Sequence, residues 1–201
     1  MTYCCLHFTG ATVPVAAHAR WDEKKTKCTL QMFTSRKNAQ AFLATLDNPQ
    51  EIEFLSESVN LLQEDPNEMS EIKFSGAAAF MLASFMLSYY TILDTYTHSA
   101  DEPGMIGFWG PPMKQAQGDG MIAWFEPDTG YHAVLLHSKT QAKAIVDAWL
   151  WFPDNAQRDV SRVIAHWDTS FYSTKKPLHA EGAIAELICK LFMIAYTELP
   201  T

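Results

Sequence analysis

The two halves of this chain resemble each other, and an internal repeat constrains the fold more than any other feature. Residues 18–46 align without a gap with residues 121–149. Identical residues fall, among other places, at Trp21 and Trp124 and at Ser35 and Ser138. The alignment predicts a tandem duplication of a module of about 100 residues.

Later segments continue the match in the same order. Residues 76–79 align with residues 182–185, and Tyr90-Thr91 aligns with Tyr196-Thr197. The predicted repeats are residues 1–98, which contain an acidic segment, and residues 101–201, which are rich in tryptophan. A polar loop at 97–104 joins them.

One module is predicted to have three strands followed by two or three helices. Residues 121–125 and 131–137 flank a Pro-Asp-x-Gly turn that is typical of a hairpin. Ser35 and Ser138 occupy the N-cap position of the helix that follows. The fold class is therefore α+β, with a three-stranded antiparallel sheet that carries helices on one face and a pseudo-twofold arrangement of the modules.

Each module ends with a long apolar helix, at 76–95 and 181–198. We expect the two modules to pack against each other through these helices, and we call this contact the seam. The first is uncharged, whereas the second contains Glu186 and Lys190, so we expect the first to be more deeply buried. Residues 74–93 are long enough to cross a bilayer. Their serines and tyrosines lower the hydropathy, and we interpret the segment as a core helix and predict no membrane partner.

Charge and cysteine content restrict the class of protein further. The net charge of −8 argues against the chain as a whole binding nucleic acid directly, because such binding needs a positive surface. The four cysteines, at 4, 5, 28 and 189, do not form a disulfide framework. Without a signal-peptide pattern at the start, we expect reduced thiols and a cytoplasmic location.

No motif indicates catalysis, a cofactor or a metal site. Phosphate-loop, nucleophile-elbow and His-Glu-x-x-His patterns do not occur in the sequence. His98, Ser99 and Asp101 combine the residue types of a triad, but they are neighbours in a predicted loop. We therefore predict a protein that is not an enzyme and has no cofactor.

The acidic segment at 47–71 stands out, because it holds eight acidic residues and no basic one. The corresponding residues 154–176 are of mixed charge. A solvated face would explain the segment, and so would a docking surface for a basic protein. The predicted partner-binding residues within it are Glu51, Glu53, Glu57, Glu64, Asp65, Glu68 and Glu71.

Residues 104–113 are apolar, glycine-rich and aromatic. They are either a core strand or an exposed loop in which Phe108 and Trp109 anchor an interface. Both residues are therefore included in the predicted partner-binding set.

Together these features predict a cytoplasmic, non-catalytic protein-binding module. Its most specific form is an inhibitor, such as an immunity-type protein or antitoxin, that neutralises a basic toxin or a nucleic-acid-handling enzyme. One alternative is an enzyme or ligand-binding protein with a pocket at the seam, using His166, Asp168, Tyr172 and Tyr196. A second alternative is a scaffold subunit that forms a homodimer through its apolar helices.

Overall fold

The computed structural model describes residues 2–9, 11–22, 24, 27–66, 69–93, 104–109, 119–126, 128–148 and 175–198. Within these residues the chain forms eight strands and five helices, and the strands build two antiparallel sheets. The predicted α+β class is therefore confirmed. The loop predicted at 97–104 lies almost entirely outside the described residues.

The first half forms one four-stranded sheet and three helices. Its strands are β1 (Thr2–Phe8), β2 (Val15–Trp21), β3 (Cys28–Phe33) and β4 (Glu71–Ser75), and they lie side by side in that order. Between β3 and β4 come α1 (Arg36–Leu43) and α2 (Pro49–Val59), and α3 (Gly76–Leu93) follows β4 directly.

The second half repeats this order as far as it is described. Its sheet contains β5 (Gly104–Trp109), β6 (Gly120–Glu126), β7 (Gly130–Leu136) and β8 (Leu178–Ala180), again in chain order. The helix α4 (Lys139–Ala148) follows β7, and α5 (Gly182–Glu198) follows β8.

The prediction of three strands per sheet is wrong, because each sheet has a fourth strand immediately before its long helix. In β4 the side chains of Ile72 and Phe74 are buried and those of Glu71, Lys73 and Ser75 are exposed, which is the alternation of a half-buried strand. The change from strand to helix occurs at Gly76, whose φ is +69°, and at Gly182, whose φ is +60°. Glycine adopts this left-handed conformation without the steric cost of a Cβ.

Both faces of β2 are covered. Val15, Ala17 and Ala19 belong to the main core, which also contains apolar residues of α3, α5 and the second sheet. On the opposite face Ala16 joins a smaller core with Phe33 of β3 and with residues of α1 and α2. The first half therefore has three layers, with α1 and α2 on one face of its sheet and α3 on the other. The prediction of helices on one face of the sheet is wrong for this half, because β2 has small or apolar side chains on both of its faces.

The long helices α3 and α5 pack against each other, as expected, but the prediction about their burial is wrong. From Ala183 to Phe192 every residue of α5 is buried, whereas α3 exposes Phe80, Leu87 and Ile92. By length and composition α3 is the one described helix that could cross a membrane, and 39% of it is buried inside the protein.

The charges of α5 do not prevent its burial, because they have partners. Lys190 Nζ lies 2.9 Å from Oε1 of Glu186. The backbone N–H and the hydroxyl of Thr12, in the first half of the chain, both donate to Oε2 of Glu186, at 2.7 and 2.6 Å. Such partners offset the cost of desolvating the buried charges. The bonds from Thr12 to Glu186 also tie the two halves together.

Candidate functional site

The helix α2 occupies the acidic segment and begins at a well-formed cap. Asn48 Oδ1 accepts from the backbone N–H groups of Gln50 and Glu51, at 3.0 and 3.4 Å. Pro49 follows at the first helical position, where its missing N–H costs no hydrogen bond. Asn followed by Pro is a helix start signal that can be recognised in the sequence.

The inner face of α2 is held to the sheet by apolar packing and by one buried carboxylate. Leu55, Val59 and the following Leu62 pack in the smaller core. The side chain of Glu51 lies on the same face and is 0% exposed as a residue. Glu51 is therefore separated from the acidic surface to which the sequence had assigned it.

Two residues of β2 contact the Glu51 carboxylate. His18 Nε2 lies within hydrogen-bond distance of Oε1, and Arg20 lies 3.5 Å from Oε2. Burial lowers the pKa of His18 below its ordinary value, and the bond to Glu51 only partly offsets this effect. A neutral His18 therefore donates its Nε2–H to the carboxylate, while Arg20 balances the negative charge.

Cys5 pairs with His18 across β1 and β2, so the cluster contains the residue types of a cysteine nucleophile, a base and an orienting acid. Its chemistry is nevertheless structural. Burial raises the pKa of the Cys5 thiol to about 12, and the thiol contacts the backbone carbonyl of Glu51 at 3.9 Å. A protonated thiol is a poor nucleophile, and the cluster's effect is to fix α2 in place.

The outer face of α2 combines exposed carboxylates with exposed apolar side chains. Glu53 and Glu57 are exposed and lie one turn apart. Phe54 is 55% exposed, and Leu61, just after the helix, is 47% exposed. The backbone N–H of Leu61 donates to the carbonyl of Ser58, which continues the helical path. We call Glu53, Phe54, Glu57 and Leu61 the outer α2 face.

Phe54 and Leu61 were not among the predicted site residues. A signal for them exists in the sequence, because the stripe of Leu55, Val59 and Leu62 defines a buried face. Phe54 and Leu61 lie off that stripe and are seven residues apart, and on the surface of a helix this spacing places two side chains on the same side.

The other predicted acidic residues are spread over the first half. Glu64 and Asp65 are exposed in the loop after α2, and Glu64 lies 3.2 Å from Arg36 of α1. Glu71 is exposed on β4, which is one edge strand of the sheet. The helix α2 packs against β1, which is the other edge strand. Glu68 lies outside the described residues. The acidic segment therefore does not form a single continuous face.

The remaining sequence candidates are placed only in part. Phe108 and Trp109 lie in β5, in agreement with the core-strand alternative for their backbone, and their side chains are not described. Tyr196 lies in α5, and its side chain is likewise not described. His98, Ser99, Asp101, His166, Asp168 and Tyr172 lie outside the described residues.

The turn between β6 and β7 carries a polar cluster that the sequence did not reveal. Thr129 Oγ1 lies 2.8 Å from Oε2 of Glu126 and 2.7 Å from Nε2 of His132. The one hydroxyl proton goes to the carboxylate, so His132 donates to Thr129 and is not its base. A catalytic triad places the imidazole between hydroxyl and carboxylate, and this cluster instead stabilises the turn.

A histidine and a carboxylate form a pair at the end of the same hairpin. His137 Nδ1 is 2.7 Å from Oδ1 of Asp119. The neighbouring hydroxyl of Ser138 accepts from the N–H of Gln141 at 3.3 Å, which is the N-cap function predicted for it. Among the described residues, no group of three or more His, Cys, Asp or Glu is placed to hold a metal ion.

Comparisons of the chain with protein-family models, with curated proteins and with solved structures find no match.

Proposed function

We propose that the protein is a non-catalytic binding module that docks a basic protein partner on the outer α2 face. The observation that carries this proposal is the exposed side chain of Phe54, which is 55% exposed on the same helix as the exposed carboxylates of Glu53 and Glu57. Aromatic residues contribute strongly to the centres of protein interfaces, and surrounding carboxylates accelerate association with cationic targets.

The most specific form of the proposal is an inhibitor. An immunity-type protein or antitoxin of this kind would cover the cationic working surface of a toxin or of a nucleic-acid-handling enzyme. In such a role the protein works by occlusion and needs no cofactor. A cytoplasmic location and the absence of direct binding to nucleic acid or membrane belong to the same proposal.

We also infer that the two halves arose by tandem duplication. Both halves have three antiparallel strands, a serine-capped helix, a fourth strand and a long helix. Ser35 and Ser138 each accept from the N–H three residues later. Gly76 and Gly182 both have positive φ at the start of the long helix. These three correspondences support common ancestry independently of the residue matches.

The test of the proposed function is a comparison of proteins captured from lysate of the source cells. Tagged wild-type protein and the double variant Glu53→Lys/Glu57→Lys are washed at about 100 and 500 mM salt, where screening lengths differ about twofold. We expect one stoichiometric basic protein, retained by the wild type at low salt, weakened at high salt and lost from the variant.

The matched control is Asp147→Lys, which reverses an exposed carboxylate on α4 in the other half. It should capture the same protein as the wild type. Capture that is equal for the wild type and the double variant would contradict the proposal.

A further inference from the structure

We propose that the outer α2 face binds a basic amphipathic helix of the partner. This inference rests on the proposed function and deepens it, because it names the structural element that the face recognises. It follows from the spacing of the apolar residues, from the charges around them and from the way α2 is held.

The apolar residues have a spacing suited to another helix. Leu61 follows Phe54 by seven residues, in the turn that continues α2, and at the helical rise of about 1.5 Å per residue this separation corresponds to roughly 10 Å. A facing helix repeats its apolar positions with the same period. Two such side chains can therefore contact successive apolar positions of one partner helix.

The charges favour a cationic partner. Glu57 lies between the two apolar residues in sequence and Glu53 precedes Phe54, while α2 itself contains no Lys or Arg. Lysine or arginine beside the apolar positions of a facing helix would meet these carboxylates. An acidic helix of the same shape would be repelled, so the charges select between partners as well as attract them.

The helix that presents this face is already fixed. Its opposite side is packed through Leu55, Val59 and Leu62, and the buried Glu51 joins it to His18 and Arg20 of β2. Binding therefore does not have to order α2, and a smaller share of the interaction free energy is lost on association.

The test uses a synthetic amphipathic helix of about 14 leucine and lysine residues, with its leucines on one face. Its dissociation constant is measured by titration calorimetry with wild-type protein and with Phe54→Ala and Glu57→Lys. We expect each variant to weaken binding at least about tenfold. The same peptide with glutamate in place of lysine should not bind.

Two matched controls use equivalent residues elsewhere. Phe80→Ala removes an exposed phenylalanine from α3, where Phe80 is 46% exposed, and Asp147→Lys reverses an exposed charge on α4. The dissociation constants of both variants for the peptide should lie within about twofold of the wild-type value. All four substitutions are at exposed positions, and thermal unfolding confirms that each variant is folded.

The proposal is overturned if the wild type does not bind the lysine peptide, or if Phe80→Ala weakens binding as much as Phe54→Ala. These results leave the proposed function intact as long as Glu53→Lys/Glu57→Lys still loses the captured partner. If that double variant keeps the partner, the proposed function fails, and this inference fails with it.

Discussion

At the scale of single residues, Glu51 separates the two faces of α2. Its negative charge and its place in the acidic segment assign it to the acidic surface. The structure instead buries it against His18 and Arg20. The sequence does contain His18 and Arg20 two residues apart, a spacing that places two side chains on the same face of a strand. What it does not contain is the contact between β2 and α2, which depends on the three-dimensional packing of residues more than 30 positions apart.

Replacing Glu51 should destabilise the protein strongly. Glu51→Ala leaves the buried His18 N–H without its acceptor and removes the partner of the half-exposed Arg20, and leaving a buried donor unsatisfied costs about 1–3 kcal/mol. Urea unfolding measures the change. The control Glu53→Ala, at an exposed position, should change stability by no more than about 0.5 kcal/mol. Equal urea midpoints for Glu51→Ala and Glu53→Ala would contradict the burial of Glu51 against His18 and Arg20.

His18 should make stability sensitive to mild acid. Burial lowers its folded-state pKa below the ordinary value of 6.5, so the unfolded chain takes up a proton at a higher pH than the folded protein does. Stability due to this group is therefore complete above the unfolded pKa and is lost as pH falls through and below 6.5. Glu51 is the charged group that contacts His18, and the charge of Arg20, which pairs with the same carboxylate, also lowers the pKa of His18.

The measurement is the free energy of unfolding of wild type and His18→Gln between about pH 7.5 and 5. The other histidines are common to both proteins, so their contributions cancel in the difference. The advantage of the wild type over the variant should shrink as the pH falls. A difference that stays constant over this range would contradict a lowered pKa.

At the scale of secondary structure elements, the sequence predicts the first three strands of each half. It also predicts the helices α1, α3, α4 and α5. It does not predict β4 or β8. Five residues of β4 run straight into α3, so Phe74 looks like the first apolar residue of the helix. In β8 only three residues pair with the sheet, and so short a segment has no detectable periodicity. Both strands are defined by pairing with a distant neighbour, which a local pattern does not contain.

The strand-to-helix junction gives a test at this scale. Gly76 has φ of +69°, and a Cβ built there meets no atom within 4 Å, so only backbone conformation opposes substitution. Gly76→Ala should cost about 1–2 kcal/mol. Gly76→Asn should cost less, because asparagine tolerates the left-handed region better. Thermal unfolding of both variants checks the order, and an alanine variant as stable as wild type would contradict this backbone geometry.

At the scale of the whole molecule, the two halves share one core. The long helices α3 and α5 pack together, and Thr12 of the first half donates to Glu186 of the second. The internal repeat predicts this kind of packing, since a duplicated module tends to associate with its copy. It does not predict which helix is covered, because the bonds that satisfy Glu186 come from a loop far away in sequence.

The docking role of the outer α2 face is the central claim, and photo-cross-linking in the source cells tests it most directly. A benzophenone amino acid replaces Phe54 in one variant and Phe80 of α3 in another, and adducts are identified by mass spectrometry. The claim predicts a single adduct with a basic protein from position 54, lost when Glu53→Lys/Glu57→Lys is added, and no such adduct from position 80. An adduct with the same protein from position 80 but not from position 54 would contradict it.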